Sequence, residues 1–219
     1  MIVENKIIEY LDELFPNPQC ELNYNKDYEL LIAVMLSAQT TDKRVNMVTK
    51  ELFSKYETLD ELKNAPLDSI INMIRPIGTF NKKALNIKKI AEALIKDCGG
   101  IVPNDREYLE KLSGVGRKTT NVVLSNLYNE PCIAVDTHVK RVSNRLNLTK
   151  SDNVLEIEKD LEKNFPKNKL NRLHHQLVLF GRYYCKAVKP ECANCKLKSI
   201  CKYYKENYEK NSYFIYKKR

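Results

Sequence analysis

Four cysteines crowd into seventeen residues near the C-terminal end of the sequence, with the spacing C-x6-C-x2-C-x5-C. They are Cys185, Cys192, Cys195 and Cys201. Four thiolates this close in sequence are suited to bind a tetrahedral zinc ion or an iron–sulfur cluster. Zinc ribbons favour two C-x2-C knuckles, whereas this run has one, and the spacing alone leaves both metals open. Disulfide bonds are disfavoured because the rest of the sequence indicates an intracellular protein.

A second candidate site is the tight turn of Gly114, Val115 and Gly116, followed by Arg117 and Lys118 at the start of an apolar run. Both glycines can take a positive φ, and neither covers its backbone with a side chain. The amides of the turn, with those that open the next helix, would form a cradle for a phosphate. Such a cradle contacts no base edge, so it predicts affinity without sequence choice.

Other glycine motifs fit this turn poorly. The full P-loop spacing G-x-x-x-x-G-K-[ST] is missing, and a helical pattern precedes the glycines where a P-loop has a strand. A G-x-G without a third glycine is also a weak dinucleotide fingerprint. An ordinary glycine at a helix C-terminus is the remaining alternative, and the adjoining basic pair argues against it.

Lys118 is a candidate amine nucleophile, and such an amine must be uncharged when it attacks. In the first turn of a helix, the positive end of the helix dipole disfavours an ammonium ion by roughly 0.3–1 kcal/mol. Burial of the side chain is expected to add to this effect. The turn that binds phosphate is therefore predicted to make the Lys118 amine more reactive.

The charge balance indicates a polyanionic partner. Thirty-seven lysines and arginines outnumber 28 acidic residues, which gives a net charge of +9 and a pI near 9.1. Basic side chains gain affinity for nucleic acid by releasing counterions from phosphates. A membrane is a poorer candidate, because the longest apolar run, residues 30–36, is far below the ~20 residues that span a bilayer. No signal peptide begins the sequence, which predicts a cytoplasmic protein.

Helical periodicity dominates the chain and predicts an all-α fold. Residues 131–136 form the one short apolar stretch that could be extended. The first helix is predicted to end at Pro16, and a glycine pair is predicted to stop the helix before residue 99. Capping residues are predicted at Asp27, at Thr58 with Glu61, and at Asn104 with Glu107. Further helices are predicted at 119–129, 138–146, 152–164 and 169–184. Buried structural thiols are predicted at Cys20, Cys98 and Cys132.

Taken together, these motifs resemble the endonuclease III family, the helix-hairpin-helix branch of bifunctional DNA glycosylases and AP lyases. The resemblance is carried by the glycine turn with Lys118, by "VDTH" at 135–138 and by the cysteine spacing. The segments "ELLIAVMLSAQTTD" (29–42) and "HHQLVLFGRYYC" (174–185) also resemble the family. The match runs from about residue 21 to residue 204.

The resemblance implies a fold of two helical domains with a DNA-binding cleft between them. A six-helix barrel with the helix-hairpin-helix motif would occupy residues 21–133. An iron–sulfur cluster domain would combine residues 1–20 with 134–219. The four cysteines would hold a [4Fe–4S] cluster. The protein would act as a monomer, associated with the nucleoid, on damaged double-stranded DNA whose target nucleotide is flipped out of the helix.

The resemblance also implies a reaction. Lys118 would be the Schiff-base nucleophile that attacks C1′ of the damaged nucleotide, and the imine would permit β-elimination of the 3′ phosphate. Asp136 would be the catalytic aspartate, to which we assign proton transfer and stabilisation of positive charge on the sugar. The "DTH" start also favours Asp136 as a helix N-cap. The substrates would be oxidised pyrimidines and abasic sites.

Further residues match positions that contact DNA in the family. Gln39 matches the gap-filling glutamine, and Ile77 and Thr79 lie on the wedge loop. Many relatives carry a bulky apolar residue at the Thr79 position, so Phe80 is a second candidate wedge. The backbone of Gly114, Val115 and Gly116 would hold phosphate, as would basic residues of the cysteine loop. These are Lys186, Lys189, Lys196 and Lys198, with Glu191 where many relatives are basic.

Two alternatives stay open from the sequence. A monofunctional mismatch glycosylase of the same superfamily is disfavoured by Lys118, which such branches usually lack. A non-catalytic helix-hairpin-helix DNA-binding protein with a structural metal would need neither Lys118 nor Asp136. The Tyr- and Lys-rich tail, from residue 202 onward, is predicted either to lie along DNA or to pack as a last helix.

Overall fold

The computed structural model describes residues 2–209, and no β-strand occurs within that range. The predicted all-α fold is confirmed. The principal helices are α1 (Ile2–Leu14), α2 (Asp27–Leu36), α3 (Asp42–Lys55), α4 (Leu59–Asn64), α5 (Leu67–Ile74), α6 (Phe80–Cys98), α7 (Arg106–Lys111), α8 (Arg117–Tyr128), α9 (Thr137–Arg145), α10 (Val154–Asn164) and α11 (Leu170–Tyr183). Single helical turns lie at Lys167–Lys169, Cys192–Asn194, Lys202–Tyr204 and Lys205–Glu209.

Several predicted helix ends are confirmed. The backbone N–H of Glu61 donates to Thr58 Oγ1 at 3.2 Å, and the N–H of Thr58 donates to Glu61 Oε2 at 2.9 Å, which completes the capping box of α4. Helix α6 ends before Gly99, whose φ of +61° is the left-handed conformation that glycine adopts at low cost. The stretch 131–136 is extended but joins no sheet among the described residues.

Two predicted N-caps are wrong by one residue. Helix α2 is capped at Lys26, and Asp27 instead accepts hydrogen bonds from its neighbour Tyr28 N–H at 2.8 Å and from the distant Val102 N–H at 2.7 Å. Helix α7 is capped by Asp105, which accepts from the Tyr108 N–H at 3.0 Å. The sequence pattern located both helix starts to within one residue. Which of two adjacent residues becomes the cap depends on the backbone conformation of the preceding loop.

The chain divides into two compact units, and residues 20–129 form the first of them, which we call the hairpin unit. The second, which we call the cysteine unit, comprises the described parts of 1–19 and 130–219. From the resemblance, residue 20 had been expected in the cysteine unit and residues 130–133 in the hairpin unit. Residue 20 instead belongs to the hairpin unit, and residues 130–133 belong to the cysteine unit. The latter lie there because Ile133 is fully buried in its core and the Cys132 N–H donates to Asn171 Oδ1 at 3.4 Å.

The hairpin unit contains helices α2 to α8, seven where the resemblance implied six. Helices α4 and α5 are separated at Ala65, which takes an extended conformation directly before Pro66. Helix α2 is buried along almost its whole length, and α6 packs against α2, α4 and α5. Helix α3, which the sequence reading did not single out, contributes Val45, Val48 and Leu52 to this core.

The cysteine unit has its own apolar core. Helix α11 packs against both α9 and α1, and its Leu173, Leu177 and Phe180 are at most 2% exposed. Helices α9 and α11 approach so closely at Gly181 that a Cβ there would lie 2.8 Å from the Cβ of His138. This contact fixes the start of α9, where the predicted catalytic aspartate lies.

Three other sequence expectations have mixed outcomes. Cys132 is buried, but Cys20 and Cys98 are only half-buried, so the prediction of three buried thiols is wrong for two of them. Within residues 2–209, every helix is too short or too polar to cross a lipid bilayer. The tail forms helical turns as far as Glu209, and its remainder lies outside the described residues.

Candidate functional site

The glycine turn joins α7 to α8 as predicted, but its two glycines differ. Gly114 has a φ of +79°, the left-handed region, whereas Gly116 is extended with a φ of −117°. The prediction that both would take a positive φ is therefore wrong for Gly116. A Cβ on Gly114 would lie 2.2 Å from Asn86 Nδ2, while a Cβ on Gly116 would meet nothing within 4 Å. Glycine is therefore favoured at position 114 both by the positive φ and by the lack of room for a Cβ.

Asn86, from α6, supports the turn from below. Its side chain is buried, and its Oδ1 accepts a hydrogen bond from the Ser113 hydroxyl at 2.7 Å. The Val115 N–H donates to the Leu112 carbonyl at 3.1 Å, and Val115 is itself 5% exposed. The turn is therefore a rigid element with a packed interior, as a preorganised binding loop must be.

We expect Gly114→Ala to lower the free energy of unfolding by about 1–3 kcal/mol, because Ala adds a disfavoured φ and displaces Asn86. Gly116→Ala is the matched control. Alanine is a poorer N-cap than glycine, but it also lowers the conformational entropy of the unfolded chain. The two effects oppose each other, so the change in the free energy of unfolding should stay within about 1 kcal/mol. Urea denaturation of both variants measures the difference. Equal destabilisation by the two substitutions would contradict the distinction.

The turn leads directly into the N-terminus of α8, where donors face outward. Gly116 is the N-cap, and the first intrahelical bond runs from the Thr120 N–H to the Gly116 carbonyl at 3.0 Å. The backbone N–H groups before Thr120 have no intrahelical acceptor, and the first turn of α8 carries no acidic residue. Backbone donors at the positive end of a helix suit an anion such as phosphate.

Lys118 is the second residue of α8, and its side chain is exposed. Its position in the first helical turn is as predicted, but the expected burial is not observed. Because the side chain is exposed, the Lys118 amine is accessible from solvent at the start of α8. The structure therefore leaves this lysine open to a substrate in place of shielding it within the protein.

Asp136 is the N-cap of α9, which confirms its predicted capping position. Its Oδ1 accepts a hydrogen bond from the Val139 N–H at 2.7 Å, and the residue is half-buried. Within the part of the chain that the structure describes, this cap occupies one carboxylate oxygen, Oδ1. The second oxygen is the one with which a substrate could interact, so capping and catalysis are compatible roles for this residue.

Three of the residues predicted to contact DNA share an unusual backbone conformation. Gln39, Thr79 and Lys189 have φ values of +57°, +55° and +50°, and all three are exposed. For residues other than glycine, the left-handed region costs energy and is common at binding sites. Each residue therefore stands at the tip of a tight turn, where its side chain is presented outward.

Ile77 does not share this exposure. Its side chain is 1% exposed and forms part of the hairpin unit's core. The Ile77 side chain is therefore not available to contact DNA, because it is an apolar side chain that packs in the core. Phe80 is half-buried, and the Arg75 guanidinium lies 5.8 Å from its ring centroid. Thr79, in contrast, is exposed.

The four clustered cysteines line a single cavity in the cysteine unit. Its walls are completed mainly by aromatic and apolar side chains. They include Tyr10, Leu146, Phe180, Tyr184 and Tyr203. All four cysteines are free thiols. Burial raises the pKa of the Cys192, Cys195 and Cys201 thiols, so a metal that binds here must displace their protons.

Two arginines from α9 hold the cysteine loop. Arg145 donates to the Lys186 carbonyl at 2.7 Å and to Cys185 Sγ at 3.4 Å, and its guanidinium lies 4.0 Å from the Tyr203 ring centroid. Arg141 donates to the carbonyls of Cys185 and Gly181, at 3.0 and 2.6 Å. These bonds fix the backbone around the first cysteine. No spacing motif in the chain indicates these two arginines.

The lysines of the cysteine loop are not equivalent. Lys186 pairs with Glu191 at 2.9 Å, Lys196 pairs with Glu13 at 2.5 Å, and Lys198 donates to the Ala193 carbonyl at 2.7 Å. For Lys189, the described residues supply no such partner. Glu191, which stands where many relatives are basic, thus pairs with one of the loop's own lysines.

The chain is similar in sequence to a family of known DNA repair proteins. The family model for the HhH-GPD superfamily base excision DNA repair proteins matches residues 32–167. The chain is 48% identical to endonuclease III of Bacillus subtilis (strain 168) over 196 residues, which cover 89% of this chain and 90% of that protein.

Two solved structures are also similar. A trapped covalent intermediate of endonuclease III with DNA, in an estranged-adenine complex, has 48% identity and a TM-score of 0.87, with 94% of this chain and 99% of that chain covered. A thermostable thymine-DNA glycosylase has 25% identity and a TM-score of 0.83, with 93% and 97% covered. The higher identity lies with endonuclease III.

Proposed function

This chain belongs to the endonuclease III family of the HhH-GPD superfamily, and we propose that it is a bifunctional DNA glycosylase and AP lyase of base excision repair. It removes oxidised pyrimidines from damaged double-stranded DNA and then cleaves the strand by β-elimination. The observation that carries the proposal is the 48% identity, over 94% of the chain, to an endonuclease III trapped in a covalent complex with DNA. We propose that the protein acts in the cytoplasm, at the nucleoid, because its substrate is chromosomal DNA.

The Lys118 amine is the proposed nucleophile. Its lone pair forms a bond to C1′ of the flipped nucleotide, and the glycosidic bond breaks with its electron pair leaving on the base, which takes up a proton. The nitrogen then loses a proton, and its lone pair forms the C1′=N bond as the C1′–O4′ bond breaks. The electron pair of that bond goes to O4′, which takes up a proton, so the sugar opens to a protonated imine. Removal of a proton from C2′ then expels the 3′ phosphate, and water releases the lysine from the product.

Asp136 is the proposed partner in proton transfer. A carboxylate also stabilises the positive charge that develops on the sugar as the base departs. Oδ1 is held by the Val139 N–H, which fixes the orientation of the carboxylate. The proposal thus assigns catalytic roles to one residue of each unit, Lys118 and Asp136.

DNA binding is proposed to use the turns described above. The backbone amides of Gly114, Val115 and Gly116 bind phosphate, and Gln39 fills the space that the flipped nucleotide leaves. Thr79 is proposed as the wedge, on the basis of its exposure at the tip of its turn. These contacts fix the strand without reading the bases, so we expect little dependence of activity on flanking sequence.

We propose that the four cysteines hold a [4Fe–4S] cluster. All four thiols line one cavity, together with mainly aromatic and apolar side chains. A [4Fe–4S] cluster takes one thiolate on each of its four irons, so this set of four cysteines supplies the ligands that a cluster needs. When bound, the cluster fixes the shape of the loop.

Cys192→Ser is expected to remove most bound iron and sulfide and to bleach the broad visible absorbance of the cluster, because one of its four thiolates is lost. Cys98→Ser is the matched control, since Cys98 is also half-buried but lies outside the cavity. Metal analysis and absorbance spectra measure the outcome. Stoichiometric zinc in a colourless wild-type protein would contradict the cluster.

Lys189→Ala is expected to reduce the slope of log affinity for DNA against log salt by about 0.9, the value for one lost phosphate contact. Lys196→Ala should change the slope less, because Glu13 already neutralises Lys196. Fluorescence anisotropy with duplex DNA at several salt concentrations measures both. A larger change for Lys196 than for Lys189 would argue against the assigned contact.

The experiment that tests the proposed function uses duplex DNA with a single abasic site, incubated with the wild-type protein and borohydride. The bifunctional enzyme yields strand cleavage, and borohydride converts its imine to a stable protein–DNA adduct. A monofunctional mismatch glycosylase would release free base from lesion-containing DNA but leave strands intact. A non-catalytic helix-hairpin-helix protein would bind without either product.

A further inference from the structure

A buried lysine in the hairpin unit has no role in the proposed reaction. Lys83 is the fourth residue of α6 and is 4% exposed. Its ammonium group donates to the carbonyls of Leu36 and Ala38, both at 2.9 Å, and more weakly to Thr40 Oγ1 at 3.4 Å. An ammonium has three donors, and all three find an acceptor in one turn.

The surroundings of Lys83 are unusual for a cation. Within residues 2–209, its hydrogen-bond partners are uncharged oxygens, so no carboxylate offsets the loss of hydration. Burial accordingly lowers the pKa of Lys83. The favourable contribution comes from the C-terminal end of α2, where unpaired carbonyls carry partial negative charge. A buried cation kept at such a position suggests a purpose beyond packing.

The turn that Lys83 binds presents Gln39. Two of the oxygens that accept from Lys83 belong to Ala38 and Thr40, the residues on either side of Gln39. Gln39 has a φ of +57°, a conformation that a non-glycine residue holds only when its neighbours are fixed. Lys83 therefore fixes the turn from within, while the Gln39 side chain is exposed.

Lys83 is bonded to the second DNA-facing turn as well. Its backbone N–H donates to the Thr79 carbonyl at 3.1 Å, which is the first helical bond of α6. Thr79 has a φ of +55° and is exposed at the tip of its turn. One residue thus joins the two turns: the side chain holds the turn of Gln39, and the backbone holds the turn of Thr79.

We propose that Lys83 is a positioning residue for nucleotide flipping, which keeps the Gln39 turn in register with the Thr79 turn so that both enter the duplex at the same step. The inference rests on the proposed function. Lys83 touches neither DNA nor the reacting atoms, and acts through Gln39. Its removal should therefore matter most where a base is left unpaired by flipping and the gap must be filled.

The test is a double-mutant cycle on two duplexes, with single-turnover strand cleavage as the readout. One duplex has an abasic site opposite guanine, and the other has it opposite a tetrahydrofuran nucleotide, so that no base is left unpaired. We expect Lys83→Met to slow cleavage of the first duplex by about 10-fold or more and of the second by less than about 3-fold. The double variant with Gln39→Ala should be no slower than the slower single variant.

Lys88→Met is the matched control. Lys88 lies on the same helix and donates to the carbonyls of Lys63 and Ala65, away from both turns. Lys88→Met should lower the melting temperature, as the loss of a helix cap does. It should slow the cleavage of both duplexes equally, by less than about 3-fold. If Lys83→Met fails to fold, Lys83→Gln retains an amide NH₂ donor group and supports the same cycle.

The outcomes separate the two proposals. If the wild-type protein neither cleaves abasic DNA nor forms a borohydride adduct, the proposed function fails, and this inference fails with it. If the wild type reacts but Lys83→Met slows both duplexes equally, the positioning role is overturned alone. Additive effects of Lys83→Met and Gln39→Ala would likewise overturn it, because independent residues do not act through one another.

Discussion

Lys118→Arg is expected to abolish strand cleavage at an abasic site, with a rate at least about 10³-fold below wild type, and to leave DNA affinity within a few-fold. Arginine keeps the positive charge at the first turn of α8, so a lysine that only contacted phosphate would be replaced without loss of activity. Its guanidinium is always protonated and cannot form the imine. Single-turnover cleavage and anisotropy on the same duplex measure the two quantities.

The control for this substitution is Lys96→Arg, which changes an exposed lysine in the last turn of α6. It should cleave at the wild-type rate. A Lys118→Arg variant that retained cleavage within about 10-fold of wild type would remove Lys118 from the chemistry, since an enzyme that loses its nucleophile loses far more.

Asp136→Asn is expected to slow base removal by about 10²–10⁴-fold while lowering the free energy of unfolding by less than about 1 kcal/mol. Asparagine caps helices as well as aspartate does, so the substitution removes the charge and keeps the cap. The chain itself contains such a cap, because Asn153 Oδ1 accepts from the Leu155 and Glu156 amides at the start of α10. Glycosylase rates and urea denaturation separate the two roles.

Asp105→Asn provides the matched control, because Asp105 caps α7 through the Tyr108 N–H in the same arrangement. It should retain the wild-type rate within a few-fold. If Asp136→Asn were equally active, Asp136 would be a helix cap and nothing more. If it instead unfolded the protein, the loss of activity could not be assigned to chemistry, and the two measurements must therefore be made together.

The local features of the site could be predicted from sequence. A glycine turn followed by Lys118, a polar N-cap at Asp136 and four cysteines within seventeen residues each depend on neighbours in the chain. Spacing is enough to indicate such features, because a helix start or a metal loop is formed by consecutive residues. The all-α fold was predictable for the same reason, from the apolar periodicity of each helix.

Features that depend on distant residues could not be predicted in this way. Asn86 leaves no space for a side chain at Gly114, and Asp27 accepts a hydrogen bond from the Val102 N–H; both partners are far away in sequence. Ile77 and Thr79 are two residues apart, yet one is buried and the other exposed. Lys83 did leave a signal: it lies four and seven residues before Ile87 and Ile90, on the apolar face of α6, where a lysine needs a buried acceptor.

The identity of the residue that is joined to DNA is the most direct test of the proposed chemistry. The wild-type protein is incubated with an abasic duplex and borohydride, the adduct is digested, and the cross-linked peptide is sequenced by mass spectrometry. The account predicts one modified residue, Lys118, carrying the reduced sugar on its ε-nitrogen. A cross-link at another lysine or at the amino terminus, or strand cleavage without any adduct, would contradict it.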